Sequence, residues 1–425
     1  VLRFNVSSTQ TINGPPAVSV FGQTDFDGKA AGLSASRLNG PEGLAYSPEK
    51  QLLFVADWGN HRVVAFDTNN PDAGADAVAV LGQSDFVSRD AGIGSMYLPT
   101  GLALEPDGGG RLFVADNGNH RVLIFNTDVV DSGEAPVAVL GQPGFTSSIS
   151  GTSATALSNP TGVALFTENG ARRLFVSESA NHRVSAFDVS NVSNGMAAST
   201  LLGHSTDGGA DFDTACTNGP GDIGLAEPEG VAVDIANHRL FVSDYSRHRV
   251  LVFQLDTMDR PAPNRNAFAV IGQPSFNDCT GFSASRNRLN GPGALAFDDV
   301  RNRLFVADTF NHRVLEFDTQ TIQNGMDARR VLGQPNFEDS GMPTPSATSL
   351  MTPAGLAVDA DRGRLFVSDG TFHRVLVFNG LGYDGGLVDN VDAGIVLGQS
   401  NFTSWDYALS QSRFSSPRGL ALDPA

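Results

Sequence analysis

The chain is poor in lysine: only Lys29 and Lys50 occur, Lys and Arg together number 28 against 46 Asp and Glu, and the net charge is −18. That balance argues against binding to a nucleic-acid backbone, because neutralising phosphates requires a basic face. Two cysteines in 425 residues exclude a disulfide-dense scaffold and a cysteine-rich metal site. No apolar run approaches the roughly 18 residues of a membrane-spanning helix, and no segment sustains a helical period. Linkers and low-complexity stretches are also missing, so nothing divides the chain into separate domains.

What the chain does have is repetition. Six times an acidic residue is followed four and five positions later by His-Arg: Asp57 with His61-Arg62, Asp116 with His120-Arg121, Glu178 with His182-Arg183, Asp244 with His248-Arg249, Asp308 with His312-Arg313, and Asp369 with His373-Arg374. Six of the eight histidines are used this way. A residue that returns once per unit is most simply part of the unit's architecture, so these sets are read as structural rather than catalytic.

Each unit holds four short apolar segments, here called strands a to d. In one unit they are Pro99-Thr100-Gly101-Leu102-Ala103-Leu104, Arg111-Leu112-Phe113-Val114-Ala115-Asp116, His120-Arg121-Val122-Leu123-Ile124-Phe125 and Val137-Ala138-Val139-Leu140. Richness in Val, Leu, Ile and Phe between Gly, Pro, Asn and Asp marks them as β-strands. The Pro opening strand a recurs at 41, 99, 160, 228, 292, 353 and 417. Four strands per fixed period mean radial blades or a solenoid. Strands b and c are apolar at consecutive positions, which requires cover on both faces, as a sheet has between two neighbours. The turn Asp116-Asn117-Gly118-Asn119 reads as a tight hairpin built on Asp and Asn, which tolerate left-handed backbone, with Arg121 returning to a carboxylate or carbonyls nearby.

Asn-His-Arg-Val after a Val-Ala-Asp strand, with Pro-x-Gly-Leu-Ala upstream, resembles the NHL-repeat family of β-propellers, and the resemblance runs over nearly the whole chain. Ser246-Arg247-His248-Arg249 and Thr371-Phe372-His373-Arg374 depart from it by lacking the Asn. The resemblance implies an all-β propeller. Its expected parts are a partial blade at 1–38 supplying strands c and d, complete blades at 39–86, 97–145, 158–204, 226–276, 290–337 and 351–402, and a closing strand a at 415–425. Both ends then meet in a composite seventh blade that has no strand b.

Candidate sites lie where the repeat varies. The x of Pro-x-Gly reads Glu42, Thr100, Thr161, Glu229, Gly293, Ala354 and Arg418, and these side chains are expected to ring one mouth of the central channel. Its charged members Glu42, Glu229 and Arg418 either bind a ligand or ion or simply line a hydrated channel. His204, Asp207, Asp211 and Asp213 break the third unit, as an oxygen-rich calcium loop or a solvated acidic loop. Cys216 and Cys279 fall about one repeat apart in equivalent loops, paired as a disulfide or left as free thiols. Asn5, Asn191 and Asn401 head glycosylation-type sequons. The chain begins at Val1 rather than Met, read as a removed signal peptide or a fragment.

The expected function is that of an extracellular, non-enzymatic structural or protein-interaction propeller, its partner a protein or further copies of itself in a head-to-tail filament. No nucleic acid, membrane insertion or cofactor is expected, calcium being the one ion considered. One alternative is a ligand-binding or sensor domain of a larger protein. Another is a metal-dependent lyase or hydrolase at the channel, since the NHL resemblance includes lyases whose metal is held by histidines. Here only His204 and His238 lie outside the repeat.

Overall fold

A computed structural model describes all residues except 7–12, 70–73, 92–93, 107–109, 169, 204–223, 257–265, 279–282, 382–389, 408–409 and 424–425. Six four-stranded antiparallel sheets, each in the order a-b-c-d, form the blades of a β-propeller, with no α-helix among the described residues. In blade 2 the strands are Pro99–Leu104, Arg111–Asp116, Arg121–Asn126 and Ala138–Leu140. Pro99 lies opposite Asp116, a bulge follows, and Leu102 then pairs with Val114. The same bulge recurs at the start of strand a in every complete blade.

Strands b and c are buried almost throughout, as consecutive apolar residues require when each sheet is sandwiched by two others. Strand a is half-buried in most blades, since it lies along the channel. The described residues hold seven apolar clusters, each bridging neighbouring blades. Phe113, Val122 and Leu140 of blade 2, for example, pack with Leu174, Val176 and Phe187 of blade 3. Two clusters join the terminal segments to blades 1 and 6: Phe21 packs with Val55 and Phe66, and Phe4, Phe414 and Leu420 pack on Phe366 and Val377.

The signature residues fasten each blade. After strand b of blade 2, Asn117–Asn119 form one turn of 3₁₀-helix, and His120 closes it in the left-handed region at φ 55°. This differs from the hairpin expected on Asp and Asn. The left-handed residue is the His in all six units, with φ between 53° and 58°, and the Asn is instead buried against the Asp. Asp116 Oδ1 accepts the Tyr97 amide at 2.6 Å, while Oδ2 accepts Asn119 Nδ2 at 2.9 Å and Arg121 Nε at 2.6 Å. Arg121 then donates to the carbonyls of Phe145 at 2.6 Å and Ser95 at 2.7 Å. One buried ion pair therefore ties strands b and c to the loops before strand a and after strand d.

The two departures from the motif act differently. Arg247 takes the Asn position in blade 4, where its charge adds to that of Arg249 on Asp244; burial still pushes this carboxyl up, to about 6. In blade 6 Phe372 takes the position, and its ring lies 5.1 Å from the Arg374 guanidinium. There Arg374 Nε stands 3.6 Å from Asp369 Oδ2 and is left without a hydrogen bond.

The His side chains link blades in sequence. Nδ1 of His61, His120, His182, His248 and His373 accepts the amide of the residue before the next blade's opening Pro, at 3.0–3.4 Å. Nδ1 of His312 instead faces the Met351 carbonyl at 2.5 Å.

The composite seventh blade is present but open. Leu2–Arg3 pairs with Ser19–Val20 as strands c and d. Pro417–Leu422, expected as strand a, takes that strand's place in the ring but enters no sheet, as none of the described residues forms a strand b beside it. The ring nevertheless closes. A Cβ on Gly419 would stand 2.2 Å from the Glu42 carbonyl, as one on Gly43 would stand 2.1 Å from that of Thr100, so both approaches require glycine.

Arg121→Ala strands a buried carboxylate and should cost about 3–5 kcal/mol of stability. Arg374→Ala should cost less, because the ion pair it removes is already 1 Å longer. Thermal and urea melts of the two variants side by side check the order; equal losses contradict it.

Candidate functional site

The side chains expected at the channel mouth do gather there. The opening residues of successive a strands are held by hydroxyls from the preceding blade: Thr100 Oγ1 donates to the Thr161 carbonyl at 3.1 Å, Ser177 Oγ to that of Glu229 at 3.0 Å, and Ser368 Oγ to that of Arg418 at 2.8 Å. Arg418 Nη1 lies 3.7 Å from Glu42 Oε1, with 70 % of the Arg418 side chain exposed and 33 % of Glu42. Desolvation pushes the Glu42 carboxyl up and Arg418 draws it back. Glu229 is also pushed up by desolvation and then by Glu227, while Arg418 pulls it down. One cation thus serves two carboxylates at the same mouth.

Sequence reasoning missed the aromatic rim beside this cluster. Trp58, Tyr245 and Phe310 sit in b–c turns, Tyr245 and Phe310 with ring centroids 5.7 Å apart and Trp58 and Phe310 exposed. Burial, then the charges of Glu229 and Glu227, raises the Tyr245 hydroxyl. The only sequence signal was the variable residues after the fixed Asp. Such a face, with aromatic anchors and exposed charge, has the composition that protein interfaces favour.

A second feature opens beside the mouth. Between Val1–Arg3 on one side and Pro417–Leu422 on the other runs a groove of 2220 Å³, lined among others by Phe4, Phe21, Leu38, Leu44, Leu420 and Leu422. It occupies the place that strand b fills in the six complete blades.

The other candidates contribute no site. His204, Asp207, Asp211, Asp213, Cys216 and Cys279 lie outside the described residues. Asn5, Asn191 and Asn401 are exposed, and the Asn401 side-chain oxygen accepts the amides of Thr403 and Ser404. His238 stands at the a–b turn of blade 4, with Nδ1 3.9 Å from Glu168 Oε2. The described residues bring together no group of three or more His, Cys, Asp and Glu side chains able to hold a metal. No described helix is long and apolar enough to cross a membrane.

A family model described as NHL repeat matches residues 38–66, 96–125 and 225–253, which correspond to strands a to c of blades 1, 2 and 4. The chain is 24 % identical over 312 residues to human NHL repeat-containing protein 2, covering 68 % of this chain and 40 % of that protein. It is 26 % identical over 326 residues to the Arabidopsis thaliana protein SUPPRESSOR OF QUENCHING 1, chloroplastic, covering 73 % of this chain and 28 % of that protein. The chain therefore spans less than half the length of these relatives. Among solved structures, the Cps50 (Swd1) β-propeller domain of Myceliophteria thermophila superposes with a TM-score of 0.51 at 11 % identity, covering 84 % of this chain and 88 % of that one, a likeness of fold alone.

Because Arg418 lowers both mouth carboxyls, Arg418→Gln should raise the pKa of Glu42 and Glu229 further, as read from ¹³C-labelled glutamate titrations. A carboxyl raised in the folded state supports stability below its unfolded pKa and loses that support as pH rises through the folded value. The variant should therefore lose more stability than the parent over that rise. Unmoved Glu titrations contradict the shared cation.

Proposed function

We propose that this chain, an NHL-repeat β-propeller, works as a protein-interaction module that docks its partner at the channel mouth and along the groove beside it. The observation that carries this reading is the groove between Val1–Arg3 and Pro417–Leu422. Its walls mix apolar side chains such as Phe4, Phe21 and Leu420 with charged ones such as Glu42, Arg413 and Arg418, a mixture that suits a protein partner. The aromatic and charged channel mouth lies next to the groove and extends the docking face, since Glu42, Trp58 and Arg418 line both.

The module is read as non-enzymatic. The signature His, Asp and Arg side chains are already engaged within and between blades, which leaves no spare catalytic set among the described residues. An extracellular setting is our reading of the acidic, lysine-poor composition and the three exposed sequon Asn residues. A filament is the form that docking takes if the partner is another copy and the contact does not close on itself.

The test is hydrogen exchange with and without an interacting protein. Binding through this face should slow exchange at 417–422 and 1–4, and a partner that protects only distant loops refutes the reading. Light scattering at rising concentration checks the filament form: a mass that grows along an open series is its expected outcome, and a constant monomer mass excludes it.

A further inference from the structure

The six turn histidines face the next blade in two opposite ways. In five of them Nδ1 accepts an amide, from Leu98, Asn159, Glu227, Gly291 or Ser416, each the residue before a strand-a Pro. All five of those residues are left-handed, with φ between 46° and 63°. Gly and Asn tolerate that conformation, whereas Leu98, Glu227 and Ser416 hold it at a cost, the more so before a proline, which favours extended backbone. The bond to Nδ1 offsets that cost.

Between blades 5 and 6 the peptide is turned over. His312 Nδ1 faces the Met351 carbonyl at 2.5 Å, a contact that needs a hydrogen on the ring nitrogen. Thr352, before Pro353, is the one residue of the six that is not left-handed. Its amide goes to its own blade's carboxylate: Asp369 Oδ1 accepts it at 3.1 Å, and Oδ2 accepts the Met351 amide, also at 3.1 Å. In blades 2 to 5 the carboxylate accepts the amide two residues before the Pro and leaves the next one to the His. The reversed form occurs where Phe372 stands in place of an Asn such as Asn119, whose side chain donates to Asp116. One molecule thus holds the same joint in both of its settings.

We propose that the five amide-in joints are acid-sensitive latches: protonating the His turns its peptide over to the carbonyl-in setting that Met351 and Thr352 already show. A charged imidazole carries a hydrogen on both nitrogens, so Nδ1 can no longer accept and instead opposes the hydrogen of the amide. Turning the peptide over converts that opposition into a donated hydrogen bond and releases the left-handed strain at Leu98, Glu227 and Ser416.

Burial holds the His61, His120 and His248 rings below the ordinary imidazole value. Arg89 lowers His61 further, against Asp57 at the start of its own turn, and Asp308 of the next blade opposes the burial at His248. Tyr97 and Tyr407 meet His61 and His373 edge to face, with centroids 4.8 and 6.0 Å apart, and His182 serves the acidic Glu227. A ring whose folded value is depressed supports stability above its unfolded value, about 6.5, and loses that support as pH falls through the folded value. The latches are therefore closed at neutral pH and open in mild acid.

Each latch lies two residues ahead of a channel-mouth position, since Thr100, Thr161, Glu229, Gly293 and Arg418 follow the five left-handed residues. Acid then resets five of the seven positions at the mouth, whatever docks there. Glu227 couples most directly, because its carboxylate accepts the Ser246 hydroxyl and its charge raises Glu229.

Nitrogen-15 spectra of the whole chain, recorded on rings and backbone from pH ~8 to ~5, test the latch. At the upper end five rings should carry their hydrogen on Nε2, and His312 on Nδ1. On acidification the amide signals of Leu98, Asn159, Glu227, Gly291 and Ser416 should move with their own rings, while that of Thr352 stays. Rings that titrate past motionless amides overturn the proposal, as does a Thr352 amide that moves with the others. Unfolding that takes every amide at once, Thr352 included, before the rings titrate overturns it too. Leu98→Gly supplies a second measurement, and Gly291 shows that the joint accepts glycine. With the left-handed penalty gone the closed latch is favoured, and His61 should titrate lower by about one pH unit. An unchanged His61 titration in this variant overturns the coupling of ring to peptide.

Discussion

The structure depends on one interaction made six times: a buried carboxylate at the end of strand b holding the Arg that begins strand c. A carboxylate and a guanidinium with side chains no more than 2 % exposed would each be costly alone. Together they are tolerable only because the Arg's remaining donors reach two loop carbonyls and the carboxylate's remaining lone pairs reach a backbone amide. That requirement fixes the loops on either side of the blade, and the loops in turn deliver the chain to the next strand a. The apolar clusters between blades supply the bulk of the burial, while the ion pairs determine the register in which the blades meet.

The His is the second device that depends on this turn. Held in the left-handed region, it points Nδ1 at the next blade's opening residue in five of six units. In those five units Nδ1 is spent on an inter-blade contact, so the His side chain helps set one blade against the next.

Much of this was legible in the sequence, because apolar period, proline spacing and a recurring Asp and Arg all report on backbone geometry. The six complete blades, the sandwiched b and c strands and the gap in the seventh follow from those patterns. The left-handed role of His120 was not legible, since Asn and Asp share that tolerance and the motif contains all three. At the channel mouth, Glu42, Glu229 and Arg418 were found as breaks in the repeat, whereas the neighbouring Tyr245 and Phe310 fell at positions the motif leaves open.

The account turns on the seventh blade being open in the isolated chain, and amide hydrogen exchange across the seven strand-a positions measures that directly. Strands Pro41–Ser47, Pro99–Leu104, Pro160–Glu168, Pro228–Asp234, Pro292–Asp298 and Pro353–Asp359 are paired and should exchange slowly. Residues 418–422 should exchange fast in the monomer. Protection of 418–422 equal to that of the other six, in a chain shown to be monomeric and alone, would mean that the blade is already closed and would contradict the account.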